Sequence, residues 1–240
     1  MKRIRCLFYI GKGTAINKTI SAWTWTWNMD TPLDLAISHG EIWTADEAGT
    51  FWHDTVYSKA GDPLYLARYA GDCWTSTLRD DAKGTVVRDA RLVLTHPEHW
   101  IYQEFEVPER NELTIEQERD WIFSVFDAPY ISRGTYSDGL AYMQYEVDNN
   151  QGYATRDLYK FVPVLRHIIR DKERNICTEF THNAEVCFGI LPGPFRVIDP
   201  RSLWKLNWKI HHCVTKYLPT GEIIHDGYRM VPGWRKKLKG

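Results

Sequence analysis

The sequence predicts an α+β domain, with strands early in the chain and helices later. Three observations carry this expectation. Strand-like runs crowd Arg5–Val107, and helical patterns occupy most of Thr114–Leu206. The two do not alternate as the βαβ units of a parallel sheet would require. Of 240 residues, 43% are hydrophobic and 25% charged, enough apolar material for the core of one large domain with insertions.

Arg5–Ile10 reads as a first buried strand that stops at Gly11-Lys12-Gly13. Two periods compete in Ala15–Trp27: Ile16, Ile20, Trp23 and Trp27 have helical spacing, whereas T-W-T-W alternates, and a helix unwinding near Trp25 is expected. Asp34–Thr44 predicts a strand with Ile37, His39, Glu41 and Trp43 on one face and Ser38, Gly40 and Ile42 on the other. Gly40 beside the histidine predicts close approach of another backbone. Thr50–Val56 and Leu64–Tyr69 are short strand-like pieces, and Cys73–Leu78, Thr85–Val87 and Trp100–Val107 continue the series. Thr114 and Gln117 form a capping box for a helix over Ile115–Phe126. Further helical stretches are expected near Ser137–Tyr145 and over Asp157–Ile169, the second broken at Pro163. Asn175–Ile190 is the best-bounded helix, with Asn175 as N-cap and Gly189 just past its end. Asp199-Pro200 opens a short helix over Arg201–Leu206, Glu222–Asp226 is strand-like, and the basic tail Trp234–Gly240 is expected to be solvated.

Composition excludes several classes. A net charge of −1 gives no reason to expect nucleic acid or an anionic membrane as partner. Five scattered cysteines without a C-x-x-C pair argue against a disulfide framework and for a reducing, cytoplasmic compartment. Neither a signal peptide nor a run of roughly 18 apolar residues is present, so no membrane span is expected.

Chemistry concentrates at Cys177. It falls in the first turn of its helix, where free N–H groups and the helix dipole favour a thiolate. Cys177, Phe180, Ala184 and Cys187 form a stripe that can pack inward, so a buried, inert core thiol is the competing reading. A nucleophilic thiol needs an imidazole, and nine histidines are on offer. His96 and His99 flank a surface Pro-Glu turn without a matching ligand set for a metal. Adjacent His211 and His212 point apart, and His182 lies round the cylinder from Cys177. His39 differs because it lies inside an apolar strand, where an ionisable group is costly without a partner.

Ser38-His39-Gly40-Glu41-Ile42 resembles the S-H-x-x-[IVL] strand of the circularly permuted papain-like (NlpC-type) peptidases, a family that includes the lecithin:retinol acyltransferase group. Ile176-Cys177-Thr178-Glu179-Phe180 is similar to that family's C-S-E-[LF] helix start, and the order histidine-then-cysteine matches its reversal of the papain order. Weaker likenesses follow in family order at Cys73–Thr77 with Gly84-Thr85-Val86, at Pro97–Trp100, at Ala128-Pro129-Tyr130 and at Asp199–Leu203. Two departures are Thr178 in place of serine and Ile131 where the family has Asp.

The resemblance implies an antiparallel sheet packed on helices, permuted, spanning residues 1–210. It carries an insertion at about 45–72 and a C-terminal extension at 211–240. It also implies a Cys177–His39 centre acting on an amide, ester or thioester bond of a peptide, amide or acyl-ester substrate, without metal or organic cofactor. The polar third residue is Thr75 or Ser76 if Cys73–Thr77 is the partner strand, and His53 if Thr50–Val56 is. Cys73–Thr77 with Gly84-Thr85-Val86 resembles the second strand and its turn in bacterial and phage-borne members, so a phage-encoded protein in a host cytoplasm fits the same reading. Two alternatives stand beside it: a non-permuted thiol enzyme pairing Cys177 with His225, and a non-catalytic viral or structural protein that keeps the fold.

Overall fold

In the computed structural model of the chain the described residues are 2–11, 15–26, 28–44, 69, 71–79, 82–107, 177–193 and 198–239. The strands expected at 50–56 and 64–69 and the helices expected at 115–126, 137–145 and 157–169 lie outside them, apart from Tyr69 in a turn, as does His53.

Among the described residues seven strands form one antiparallel sheet: β1 (Lys2–Tyr9), β2 (His39–Thr44), β3 (Asp72–Arg79), β4 (Ala82–Asp89), β5 (Trp100–Val107), β6 (Thr215–Tyr217) and β7 (Ile223–His225). Their spatial order is β4-β3-β2-β1-β5-β6-β7. β1 therefore lies at the centre, flanked by β2 and β5, with Tyr9 opposite both His39 and Trp100. The register sets two faces. Ile4, Cys6, Phe8, Ile42, Trp74 and Ile101 join the larger core with the helices, while Leu7, Trp43, Cys73, Trp100 and Tyr102 face a smaller cluster under α2 (Ala90–Val93). The stretch after residue 210 adds β6 and β7 to one edge of the same sheet.

Two further helices cover the larger core, α3 (Cys177–Cys187) and α4 (Pro200–His211), and α1 (Ala15–Thr26) packs against α4. α3 crosses β2 and β3, and Phe180, at 1% exposure, is its main apolar anchor. Burying such a side chain contributes about 1.5–3 kcal/mol. α3 ends as its sequence predicts. Gly189 has φ +73°, Ile190 N–H reaches Glu185 O at 2.8 Å, and Gly189 N–H reaches Val186 O at 3.0 Å, the paired bonds of a Schellman cap. Asn175, its expected N-cap, is outside the described residues.

Three expectations need correction. The strand expected from Asp34 begins only at His39. Arg201, fully buried at the start of α4, donates to the carbonyls of Pro32 (2.7 Å) and of Leu35 (2.6 Å), the second of which lies inside the expected strand. α1 buries Ser21 and Thr24, with Asn28 just past its end, and leaves Trp23 36% exposed. The reason is again polar: Arg201 reaches Ser21 Oγ at 3.2 Å, and Asn28 Nδ2 donates to Ser202 Oγ at 2.9 Å. α4 runs five residues past Leu206, because Asp199 caps it through Ser202 N–H (2.8 Å) and Trp204 continues the buried stripe. The tail is not simply solvated: α5 (Trp234–Lys237) inserts Trp234 into the core and leaves its cations outside.

Candidate active site

His39 is the first residue of β2, where the ladder starts beside the α3 N-terminus. The residue after it is glycine, and that choice sets the depth of the site. A Cβ on Gly40 would stand 3.0 Å from Thr178 Cγ2 and 3.5 Å from Thr181 Oγ1, so only glycine lets α3 lie this close to the strand. Thr178 then ties the helix start to the Ile198 carbonyl just before α4.

This close packing brings Cys177 and His39 together although 138 positions separate them in sequence (177 − 39). The thiol and the imidazole lie close enough for each to shift the other's ionisation, and the backbone N–H groups of Gly40 and Thr178 act on the same sulfur. Cys177 is buried at 4% exposure, whereas the His39 side chain is 22% exposed, so solvent reaches the pair along the imidazole.

The electrostatics favour a charged pair. Burial opposes ionisation of both groups, yet their mutual attraction outweighs it. The charge and hydrogen bond of His39, followed by the Gly40 and Thr178 N–H bonds, hold the Cys177 thiol below its ordinary value. Against burial, the Cys177 thiolate and then Glu41 push His39 up to about 9. The directions, thiol down and imidazole up, are those of a thiolate–imidazolium pair.

The expected third residue is partly placed. Thr75 Oγ1 lies 3.4 Å from His39 Nε2 and donates to Gly40 O at 3.0 Å. Ser76, the other candidate, is the next residue of β3, and its side chain lies outside those described. The sequence reading passed over Glu41 as a partner: its Oε1 lies 3.0 Å from His39 Nε2, and its side chain is only 2% exposed. Its signal was present, since a carboxylate two residues from a histidine on one strand shares the same face. Trp100 closes the site edge-on, with ring centroids 6.3 Å apart from His39.

Other candidates lie elsewhere. His225 is on β7, four strand steps from β2 and so about 19 Å away at the usual spacing of about 4.8 Å. Its ring packs on Trp204 and Trp208 at 5.3 and 5.0 Å, and burial pushes it down to about 4. His96 and His99 share Glu98 on an exposed turn. His182 is buried against Asn183 at 3.1 Å. Cys213, the rival thiol, is pushed up to about 12 by burial and by Glu185, and Cys6 is raised by the same two causes. Among the described residues no group of three or more His, Cys, Asp or Glu is arranged to hold a metal ion, and no helix is long and apolar enough to cross a membrane.

Comparison with protein families, with curated proteins and with solved structures returns no match.

Proposed function

We propose that the chain is a thiol hydrolase or acyltransferase of permuted papain-like (NlpC-type) architecture, with peptidase or amidase chemistry favoured. One observation supports it above the rest: the cysteine and the histidine picked out by the motifs lie together at a helix N-terminus, each favouring the other's charged form. The Cys177 thiolate attacks the substrate carbonyl carbon, forming a C–S bond while the carbonyl oxygen takes the electron pair. The backbone N–H of Cys177 stabilises that oxyanion. Collapse breaks the carbonyl–leaving-group bond, and His39 gives its proton to the departing amine, alcohol or thiol. His39 then takes a proton from water or another acceptor, whose oxygen or nitrogen attacks the thioester and frees Cys177. Polar contacts at Nε2 hold the ring through both halves.

The chemistry is tested with p-nitrophenyl acetate and with a set of peptide amides. Intact mass should show one acetyl group on Cys177, absent in Cys177→Ser and slowed at least tenfold in His39→Ala. Turnover of an amide at rates above the variants selects the peptidase/amidase branch. A wild-type protein that never acylates removes the enzyme reading in favour of a binding role. Action in the cytoplasm, in a phage-infected host included, belongs to the same proposal.

A further inference from the structure

We propose that Glu41 is the positioning residue of this centre: from the same strand as the imidazole, its carboxylate accepts the Nε2–H bond of His39 and turns Nδ1 toward Cys177. The inference rests on the thiol-enzyme reading above and names the residue that orients its base.

Two oxygens compete for that role. Glu41 Oε1 lies 3.0 Å from Nε2, and Thr75 Oγ1 lies 3.4 Å from it. Thr75 has a single hydroxyl proton, and the Gly40 carbonyl takes it at 3.0 Å. Toward His39 it is therefore an acceptor only, neutral and at the longer distance. Glu41 offers a charged acceptor at the shorter one, and charge-assisted bonds are roughly twice as strong as neutral ones. With acceptors alone at Nε2, that nitrogen carries the hydrogen, and Nδ1 is left for the sulfur.

The strand explains why glutamate fits. Residues two apart lie about 6.6–6.8 Å apart on one face, a span that a glutamate side chain covers when it bends back along the strand. Burial then gives the contact its value. A carboxylate this enclosed is costly unless it meets a positive charge, and the imidazolium supplies one. On the opposite side the Gly40 and Thr178 N–H groups receive the thiolate. Among the described residues the titratable groups facing His39 are Cys177 from α3 and Glu41 from β2. β3 presents Thr75, β5 presents Trp100, and Tyr9 of β1 lies opposite in register with His99 against its ring. Thr75 has a different task, bonding β3 to the Gly40 carbonyl and so fixing the β2 backbone beneath the helix.

Nuclear magnetic resonance of the His39 ring in the full chain, with 15N-labelled histidine, reads this without needing a substrate. In the wild type the ring should titrate near 9. Glu41→Gln should lower that midpoint by a unit or more, a tenfold or greater loss in proton affinity. Thr75→Val should move it by no more than a few tenths, and Glu41→Asp should keep part of the elevation. A midpoint unchanged in Glu41→Gln, or one that falls further in Thr75→Val, overturns the assignment. The wild type alone gives a second test that needs no variant to fold: above the midpoint the 15N shifts should show the Nε2–H tautomer, and the Nδ1–H tautomer overturns the proposal. Failure of the enzyme reading looks different, since His39 would then titrate near 6.5 and ignore Cys177→Ser.

Discussion

Gly40→Ala is the sharpest test of how the site is assembled. The new Cβ would sit 3.0 Å from Thr178 Cγ2, 3.5 Å from Thr181 Oγ1 and 3.9 Å from Leu7 O. Carbon atoms prefer about 3.5–4.0 Å, so α3 must lift by about 0.5 Å or more, or the strand must sink. Overpacking of this kind costs about 1–3 kcal/mol. Replacing glycine in an ordinary strand conformation returns about 0.4–1 kcal/mol through the unfolded chain. The net loss should be about 1–2 kcal/mol, a Tm drop of about 2–8 °C for a chain of this size. Thr178→Ser alone removes the opposing methyl and keeps the hydroxyl that reaches Ile198 O, at a cost of about 1 kcal/mol. Combined, the serine makes room for the alanine, so the double variant should lose only about 1 kcal/mol against an additive 2–3 kcal/mol. Urea unfolding of the four proteins measures the coupling. Additivity within about 0.5 kcal/mol would refute the claim that Gly40 exists to admit the helix. The alanine variant should also label more slowly at Cys177, because lifting α3 withdraws the sulfur from the Gly40 N–H and from His39.

Three further outcomes are expected. Limiting iodoacetamide at about pH 6.5 should label Cys177 before Cys6 and Cys213, and His39→Ala should slow that labelling about tenfold or more, read by peptide mass spectrometry; faster labelling of Cys213 would mean the ion pair is absent. His225→Ala should leave Cys177 labelling within about twofold of wild type while lowering stability by about 1–3 kcal/mol through the lost contacts with Trp204 and Trp208, and an abolished Cys177 reactivity would restore His225 as the base. Glu185, fully buried, is pushed up to about 8 by burial, against the hydrogen bonds of Cys6 and Asn207. A carboxyl raised on folding contributes stability that is complete below about 4.5 and is lost as pH rises through about 8, with a slope of at most about 1.4 kcal/mol per pH unit. Glu185→Gln, which keeps an acceptor for Asn207, should remove that part of the fall in Tm between pH 5 and 8; an unchanged slope rejects the assignment.

Much of this protein is legible in its sequence, and the legible parts share a cause. β5 matches its expected bounds, β1 and β3 hold Cys6 and Cys73 in the core, and α3 stops at Gly189, because alternation and glycine caps are local signals that a few neighbouring residues decide. Cys177 and His39 were identifiable as a pair because each sits in a short motif whose order along the chain carries information. What sequence periodicity could not decide is where buried polar groups go. Arg201 takes the carbonyls of Pro32 and Leu35 and the hydroxyl of Ser21 from more than 160 positions away, and by doing so shortens β2 and rotates α1 onto its polar side. α3 is buried on nearly every side, Thr181, His182 and Glu185 included, although its sequence shows a single apolar stripe. Glu41 shares a face with His39 by simple alternation, but a strand pattern does not say whether that face meets water or Thr75 of the next strand. Those outcomes depend on which distant donor meets which acceptor once water is excluded, and only the tertiary structure fixes that pairing.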